Sequence, residues 1–432
     1  MSISETFESF LKRIAIDNDA SISLRYEEIT CALNKKFRDT ESKTANSLQV
    51  GSYGRWTAIK GISDLDMLYI MPQSKWSSYS AGGQSKLLKD CADAISARYP
   101  NTTVKVDRLV VRVLYTNFHV EVQPVFENND KESFSYPDTY GEPSWKVTKP
   151  RAEIRAMKEF DTLKNKNLRR LCKMARSWKN KHGVSVGGLL IDTLVHNFLK
   201  STKDYDEKSY LYYDYMCRDF FKYLADLPKQ DYFAALGSGQ RVKVKKQFHR
   251  KAKKAYELSI KAIEAEGTDS QNDRWRKVFG RKFPPAPTQV TKSASIVEGR
   301  FTARNTEEFV EDKFPVDVRY AIRLECEVVQ NGFRQHLLRE MIKLGTPLKA
   351  QKTLKFYVES HSIHGDFALF WKVLNRGTEA IERDKVRGQI VKDEGGKSKT
   401  EPTTFRGDHI VECYAVQNGV VVATDRIYVP IQ

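Results

Sequence analysis

Residues 51–72 read GSYGRWTAIKGISDLDMLYIMP, and the N-terminal half of the chain is organised around them. A Gly-Ser turn comes first, and an apolar strand that carries Asp64 and Asp66 follows. Side chains two residues apart on a strand point to one face, so these carboxylates converge. Adjacent carboxylates repel unless a cation lies between them, and paired hard oxygen ligands suit Mg²⁺. A Gly-Ser turn that opens a helix offers N–H groups and a hydroxyl to a phosphate. The stretch predicts a metal–nucleotide site.

The composition predicts a folded protein with anionic partners. The chain has 432 residues, 40% of them hydrophobic, which favours about two to four domains. A net charge of +17 favours nucleotides or oligonucleotides as partners, with a basic surface that only aids solubility as the alternative. Six scattered cysteines without CxxC spacing indicate reduced thiols. Without a signal-peptide pattern or an apolar run of about 18 residues, we expect a cytoplasmic chain with no membrane segment.

A third acid follows on a later strand. Residues 104–126 have the pattern of a hairpin with its turn at 116–117, and Glu121 lies on the polar face of the second arm. The simpler interpretation of Glu121 is a solvent-facing residue on a half-exposed strand.

The remainder divides into a helical part and a strand-rich part. Residues 150–227 have helical periodicity, and Lys173 and Arg176, three residues apart, could grip a triphosphate or simply form a solvated basic face. A proline-rich linker at 283–287 follows. Beyond it, alternating segments and the turn signal Asn418-Gly419 predict a β-sandwich.

Together, Gly51-Ser52, Asp64-x-Asp66 and the later Glu121 are similar to the signature of the polymerase-β-like nucleotidyltransferase superfamily. The fuller pattern resembles the bacterial CD-NTases of the SMODS group, relatives of cyclic GMP–AMP synthase and oligoadenylate synthase. The resemblance continues through residues 168–181 and 275–284. Residues 367–431 resemble the C-terminal sensor domain of the adenylyl/guanylyl cyclase and SMODS type.

This resemblance implies an α/β (α+β) nucleotidyltransferase core, a helical domain like that of oligoadenylate synthase, and a C-terminal β-sandwich. We expect the catalytic domain at residues 1–149, the helical domain with the linker at 150–287 and a nucleotide-sensor domain at 288–432.

The resemblance also implies the site. Asp64, Asp66 and Glu121 would be the catalytic residues and would hold two Mg²⁺ ions, with Mn²⁺ as the alternative metal. The residues implied to bind nucleotide are Gly51, Ser52, Arg55, Lys173, Arg176 and Ser185. One departure concerns Glu121, because Asp is commoner at this position in the family.

The implied function is polymerisation of NTPs into a second messenger for antiphage signalling, by family default a cyclic oligonucleotide. One alternative is template-independent synthesis of a linear oligo(deoxy)adenylate from NTPs or dNTPs, including a protein-primed form with Tyr428 as a candidate primer. Another is a nucleotidyl-transferring toxin or an RNA-tailing enzyme. The partners would be the NTP or dNTP substrates, the oligonucleotide product and a separate effector protein, including a membrane-embedded effector held in complex.

Overall fold

The structure is a computed structural model, and it describes residues 2–61, 64–116, 118–286, 307–329 and 336–432. The chain forms two compact units: Met1–Trp178 with Val186–Ala286, and Lys179–Ser185 with Pro287–Gln432. Among the described residues, no helix is long and apolar enough to cross a lipid bilayer. The expected division of the N-terminal part into a catalytic and a helical domain at residue 149 stays a prediction.

The first unit mixes helices with one large sheet. The helices that begin in it are α1 (Ile3–Arg13), α2 (Asp19–Arg38), α3 (Gly51–Gly54), α4 (Trp76–Tyr79), α5 (Gln84–Arg98), α6 (Pro150–Leu163), α7 (Asn167–His182), α8 (Gly188–Ser201), α9 (Tyr213–Asp226), α10 (His249–Ile263) and α11 (Ser270–Phe279). Its strands are β1 (Ser47–Gln49), β2 (Asp64–Ile70), β3 (Thr103–Asp107), β4 (Val110–Leu114), β5 (His119–Glu127), β6 (Phe134–Asp138), β7 (Ser144–Thr148), β8 (Tyr232–Ala234) and β9 (Arg241–Lys243).

The first helix shows how local sequence sets an element. Ser2 Oγ accepts a hydrogen bond from the Glu5 N–H at 3.3 Å, and the Ser2 N–H donates to the Glu5 carboxylate at 2.7 Å, which completes a capping box. Phe7 is buried on the inner face and packs against Trp275 and Phe283, with ring centroids 5.4 and 5.3 Å away. The predicted linker therefore begins inside the core of this unit.

The large sheet places β2 beside β5. Its strand order is β1-β2-β5-β4-β3, and β6 extends it by pairing with β5 and β7. The β2–β5 pair is parallel, while β1 and β4 pair antiparallel with β2 and β5. One face packs through residues such as Ile29 of α2, Met67 of β2 and Leu87 of α5.

The hairpin predicted over 104–126 is partly wrong. Residues 104–115 form two strands rather than one, because Arg108, with a φ of 48°, lies in the turn that reverses the chain between β3 and β4. The second reversal does join β4 to β5 as an antiparallel pair, and residue 117 of its turn lies outside the described residues.

The described residues of the second unit form two antiparallel sheets, so the predicted β-sandwich is confirmed. Its strands are β10 (Ile322–Val329), β11 (His336–Leu337), β12 (Thr353–His361), β13 (Ala368–Leu374), β14 (Arg387–Lys392), β15 (Ser398–Pro402), β16 (Gly407–Gln417) and β17 (Val420–Ile431). The sheet orders are β11-β10-β12-β15 and β14-β13-β16-β17. The short helices are α12 (Val310–Lys313), α13 (Leu338–Leu344) and α14 (Thr378–Glu382).

Side chains of both sheets share one core, in which Leu324 and Phe356 meet Trp371 and Val422. The predicted Asn418-Gly419 turn joins β16 to β17, and both residues have positive φ, at 51° and 77°. The last linker proline, at position 287, and the predicted start of this domain lie outside the described residues.

Candidate active site

Asp64 and Asp66 lie on one face of β2, as the strand alternation predicts. Leu65, Met67 and Tyr69 point the other way into the core of the sheet and are at most 6% exposed. The two aspartates are half-buried. The apolar face thus anchors the strand, and the opposite face presents both carboxylates.

The parallel pairing of β2 with β5 brings Glu121 to the aspartates. In the register of this pair, Asp66 is opposite Glu121 and Asp64 is opposite His119. One carboxylate oxygen from each of Asp64, Asp66 and Glu121 lies within 4.8 Å of the other two. The three acids named from the sequence therefore form one cluster, which we call the acidic cluster.

Arg112 and His119, which sequence reasoning missed, contact Glu121. Arg112 is opposite Glu121 across the β4–β5 pair, and its Nε donates to Glu121 Oε1 at 3.0 Å. His119 Nε2 lies 3.3 Å from the same oxygen. Arg112 also pairs with Asp107 at 2.6 Å, which fixes the guanidinium in place. The sequence offered one signal for the contact between Arg112 and Glu121: their charges are opposite, and they lie on polar positions of the two arms of the predicted hairpin.

Gly51 is required where the chain passes the acidic cluster. Its φ is +64°, and a Cβ added there would lie 1.8 Å from Asp66 Oδ2. The neighbouring Val50 N–H donates to the Asp66 carbonyl at 3.0 Å, which ties the two backbone segments together. A side chain at position 51 would displace the Asp66 carboxylate, and Ser52 follows directly in α3.

Arg55 and Arg176 converge on Asp192 of α8. Arg55 Nε lies 2.9 Å from Asp192 Oδ2, and Arg176 donates to both carboxylate oxygens at 2.5 and 3.0 Å. Thr57 donates to Asp192 at 3.0 Å, and Arg55 also pairs with Glu153 at 3.2 Å. Both guanidiniums therefore have buried counter-charges within the unit, and their predicted nucleotide-binding role stays a prediction.

The other residues named from the sequence lie in different places. Lys173 is half-buried on α7, where burial and then the charge of Arg169 lower its pKa. Ser185 is buried and groups with the second unit. Tyr428 lies on β17 with 48% of its surface exposed. The roles assigned to these residues stay predictions.

The acidic cluster fits a divalent cation. Carboxylate oxygens are hard ligands, and Mg²⁺ in proteins is held by one or two carboxylates together with phosphate oxygens and water. The mutual approach of the three side chains concentrates negative charge, which a bound cation would neutralise. The donor set and its compact arrangement therefore suit Mg²⁺ or Mn²⁺.

A separate cavity of about 380 Å³ lies in the second unit. Leu354 and Phe356 of β12 and Val411 of β16 give it apolar walls, so it is bounded by both sheets. The ion pair of Arg387 with Glu401, at 3.0 Å, forms part of its polar lining. A volume of this size accommodates a small organic ligand.

Two family models match the chain. Residues 1–161 match the Second Messenger Oligonucleotide or Dinucleotide Synthetase (SMODS) domain, and residues 304–432 match the Adenylyl/Guanylyl and SMODS C-terminal sensor domain. The resemblance identified from the sequence is thereby confirmed.

Individual relatives are distant. The CBASS oligonucleotide cyclase CdnC of Escherichia coli (strain KTE188) is 23% identical over 232 residues, or 51% of this chain and 70% of that protein. A solved complex of E. coli MS115-1 CdnC with HORMA-deltaN has a TM-score of 0.49 at 16% identity and covers 65% of this chain and 98% of that one. The Bradyrhizobium diazoefficiens CD-NTase CdnG in complex with GTP has a TM-score of 0.49 at 12% identity, over 64% of this chain and 96% of that one.

Proposed function

We propose that this chain, which belongs to the CD-NTases and joins a SMODS domain to a C-terminal sensor domain, is a Mg²⁺-dependent nucleotidyltransferase that makes a nucleotide second messenger for antiphage signalling. One observation carries the proposal. Asp64, Asp66 and Glu121 converge from two parallel strands, beside a glycine that packs on the Asp66 carboxylate.

In this proposal the acidic cluster holds two Mg²⁺ ions. The ions, when bound, lower the pKa of the attacking hydroxyl and stabilise the leaving pyrophosphate. Arg112 and His119 keep Glu121 oriented toward the aspartates through their contacts at 3.0 and 3.3 Å. Because both partners lie on the sheet, the Glu121 side chain is held without the aid of a loop.

Gly51, Ser52 and Lys173 hold the phosphates of the donor nucleotide. An acceptor hydroxyl oxygen forms a bond to the α-phosphorus as the bond from that phosphorus to pyrophosphate breaks, and the hydroxyl proton is released. The protein takes little part in the covalent chemistry of such a transfer, so these residues position the nucleotide and compensate the charge of its phosphates.

The product of the proposed reaction is a cyclic oligonucleotide, which acts on a separate effector protein. The C-terminal domain acts as a nucleotide sensor, and the cavity of about 380 Å³ bounded by both of its sheets supports this role.

The decisive experiment is product identification from purified full-length protein. Labelled NTPs, and separately dNTPs, are incubated with Mg²⁺ or Mn²⁺ and without RNA, and the products are analysed by mass spectrometry after phosphatase treatment. We expect pyrophosphate release and a phosphatase-resistant product. The double variant Asp64→Asn, Asp66→Asn should make none, whereas Asp204→Asn, at an exposed position in the same unit, should match the wild type.

Three results would separate the alternatives. Synthesis by the double variant would contradict the assignment of the acidic cluster. Phosphatase-sensitive chains would identify a linear oligonucleotide instead of a ring. Nucleotide incorporation only after addition of acceptor RNA would identify a tailing enzyme, for which the net charge of +17 predicts a steep dependence on salt.

A further inference from the structure

Trp56 adopts a backbone conformation that bulky residues avoid. Its φ is +64°, in the left-handed region, and 67% of its surface is exposed. Such a conformation is strained and persists only where the surroundings enforce it. Burial of the indole does not explain the residue, because two thirds of it remains in contact with solvent.

The neighbours of Trp56 enforce this conformation. Arg55 and Thr57 on either side are both buried, and both donate to Asp192. The N–H groups of Thr57 and Ala58 donate to the Ser52 carbonyl, at 2.9 and 3.1 Å. The flanking residues are therefore drawn inward, and the intervening indole is held outward.

The same turn connects Trp56 to the segment that borders the acidic cluster. Ser52, which accepts these hydrogen bonds, directly follows Gly51, and Gly51 packs on the Asp66 carboxylate. The indole is thus carried by the segment proposed to hold the donor phosphates. The Trp56 ring therefore offers an aromatic surface, in the same turn of the chain, to the base attached to those phosphates.

A second residue, Arg169, orients the indole of Trp56. The Arg169 guanidinium carbon lies 5.3 Å from the centroid of the Trp56 ring, a cation–π contact. Arg169 is anchored in turn, because its N–H donates to the Asp161 carboxylate at 2.9 Å and its guanidinium approaches that carboxylate at 3.7 Å. Lys173 follows one helical turn later on α7. The ring is therefore held in one orientation while much of its surface stays open.

We propose that Trp56, oriented by Arg169, is the stacking platform for the base of the nucleotide whose phosphates lie at Ser52. The inference rests on the proposed function and adds a base-binding residue to it. Every base has a π-face, so an indole platform tolerates different bases and contributes about 1–3 kcal/mol per stacked base. Base selection must then come from other residues.

Because glycine adopts a φ of +64° without strain, Trp56→Gly separates function from stability. We expect this variant to have an equal or higher melting temperature than the wild type. Its affinity for α,β-methylene-ATP with Mg²⁺, measured by calorimetry on the full chain, should fall by about 5- to 150-fold, which corresponds to the loss of one stacked base. Trp56→Phe should retain most of the affinity, and Trp56→Leu should lose as much as the glycine variant.

Gln351→Gly is the matched control, since Gln351 is also exposed at a φ of 65° but lies in the second unit. It should gain stability without a change in affinity. Affinities of Trp56→Gly and Trp56→Leu within twofold of the wild type would overturn the inference, and if the glycine variant does not fold, the leucine variant alone decides. Such results would not affect the proposed function as long as the wild type converts NTPs. A wild type that neither binds the analogue nor releases pyrophosphate would overturn both the proposed function and the role of Trp56.

Discussion

The acidic cluster and the Asp192 carboxylate, both in the first unit, differ in how their negative charge is compensated. The acidic cluster gathers three half-buried carboxylates within 4.8 Å, and Arg112 reaches it through Glu121. Asp192, by contrast, is fully buried and accepts hydrogen bonds from two guanidiniums and a hydroxyl. Burial works to raise the pKa of Asp192, but Arg176 and Arg55 outweigh it and hold the pKa below the ordinary value. At Asp192, fixed guanidiniums neutralise the charge, and the contact stabilises the fold. The acidic cluster gathers its charge at a half-exposed face, which is suited to binding a cation.

The largest expected effect concerns the acidic cluster. Asp66→Asn should lower the rate of product formation by about 10⁴-fold, because a metal ion contributes several kcal/mol to the transition state. The free energy of unfolding should stay equal or rise, since the substitution relieves repulsion among the carboxylates. Pyrophosphate release and urea denaturation measure the two quantities. If Asp66→Asn lost activity and stability to the same extent, Asp66 would have a structural role like that of Asp192.

The next largest effect concerns Asp192. Asp192→Ala should lower the free energy of unfolding by about 3–5 kcal/mol, because it leaves Arg55 and Arg176 buried without their shared counter-charge. Urea denaturation followed by circular dichroism measures the change. The exposed Asp204→Ala is the control and should change stability by less than about 0.5 kcal/mol. A small effect at Asp192 would show that the two arginines find other partners.

A third prediction tests the packing of Gly51 on Asp66. Gly51→Ala should lower product formation by about 10- to 100-fold, an effect of about 1–3 kcal/mol, because its Cβ would collide with the Asp66 carboxylate. Gly82 is the matched control, with a φ of +75° and open space around it. Gly82→Ala should cost a similar stability of about 1 kcal/mol from its backbone alone and leave the rate unchanged. Full activity of Gly51→Ala would contradict the close contact with Asp66.

The smallest effect is the dependence of stability on pH. The lowered pKa of Asp192 means that its carboxylate stabilises the fold above the ordinary value of 3.8, and that this contribution is lost as pH falls through the lower folded-state pKa. The difference in stability between wild type and Asp192→Asn should be constant from pH 7 to pH 5 and shrink below 3.8, by at most about 1.4 kcal/mol per pH unit. Urea titrations at a series of pH values measure it. A difference that shrinks between pH 7 and pH 5 would contradict the lowered pKa.

The local part of the acidic cluster could be predicted from the sequence, and the long-range part could not. Strand periodicity alone places Asp64 and Asp66 on one face, because each strand residue reverses the side-chain direction. Nothing in the residues dictates that β5 lies parallel to β2 with Glu121 opposite Asp66. The family resemblance implied only that Glu121 joins the two aspartates as a metal ligand. The split of residues 104–115 into β3 and β4 was missed because Arg108 is not a residue type that marks a turn.

The surroundings of Asp192 show a second limit of prediction from the sequence. Arg55 and Arg176 were named as nucleotide-binding residues, a role that stays a prediction, and their contacts with a buried acid from a different helix were not predicted. A signal existed, because one acid within the apolar stretch at 187–199 demands a buried cationic partner. The identity of that partner depends on how α3, α7 and α8 pack, which the periodicity of each helix alone does not specify.

The parallel β2–β5 pair also determines where this chain tolerates changes in length. The convergence of Asp66 and Glu121 depends on a ladder of backbone hydrogen bonds, and within the long connection between the two strands β4 contacts Glu121 directly, through Arg112. Residues 71–118 can therefore gain or lose segments in loops without moving the carboxylates. A single residue inserted between His119 and Glu121 would turn the glutamate to the other face of the sheet. Comparisons of diverging sequences should find insertions concentrated in that connection and excluded from the two strands.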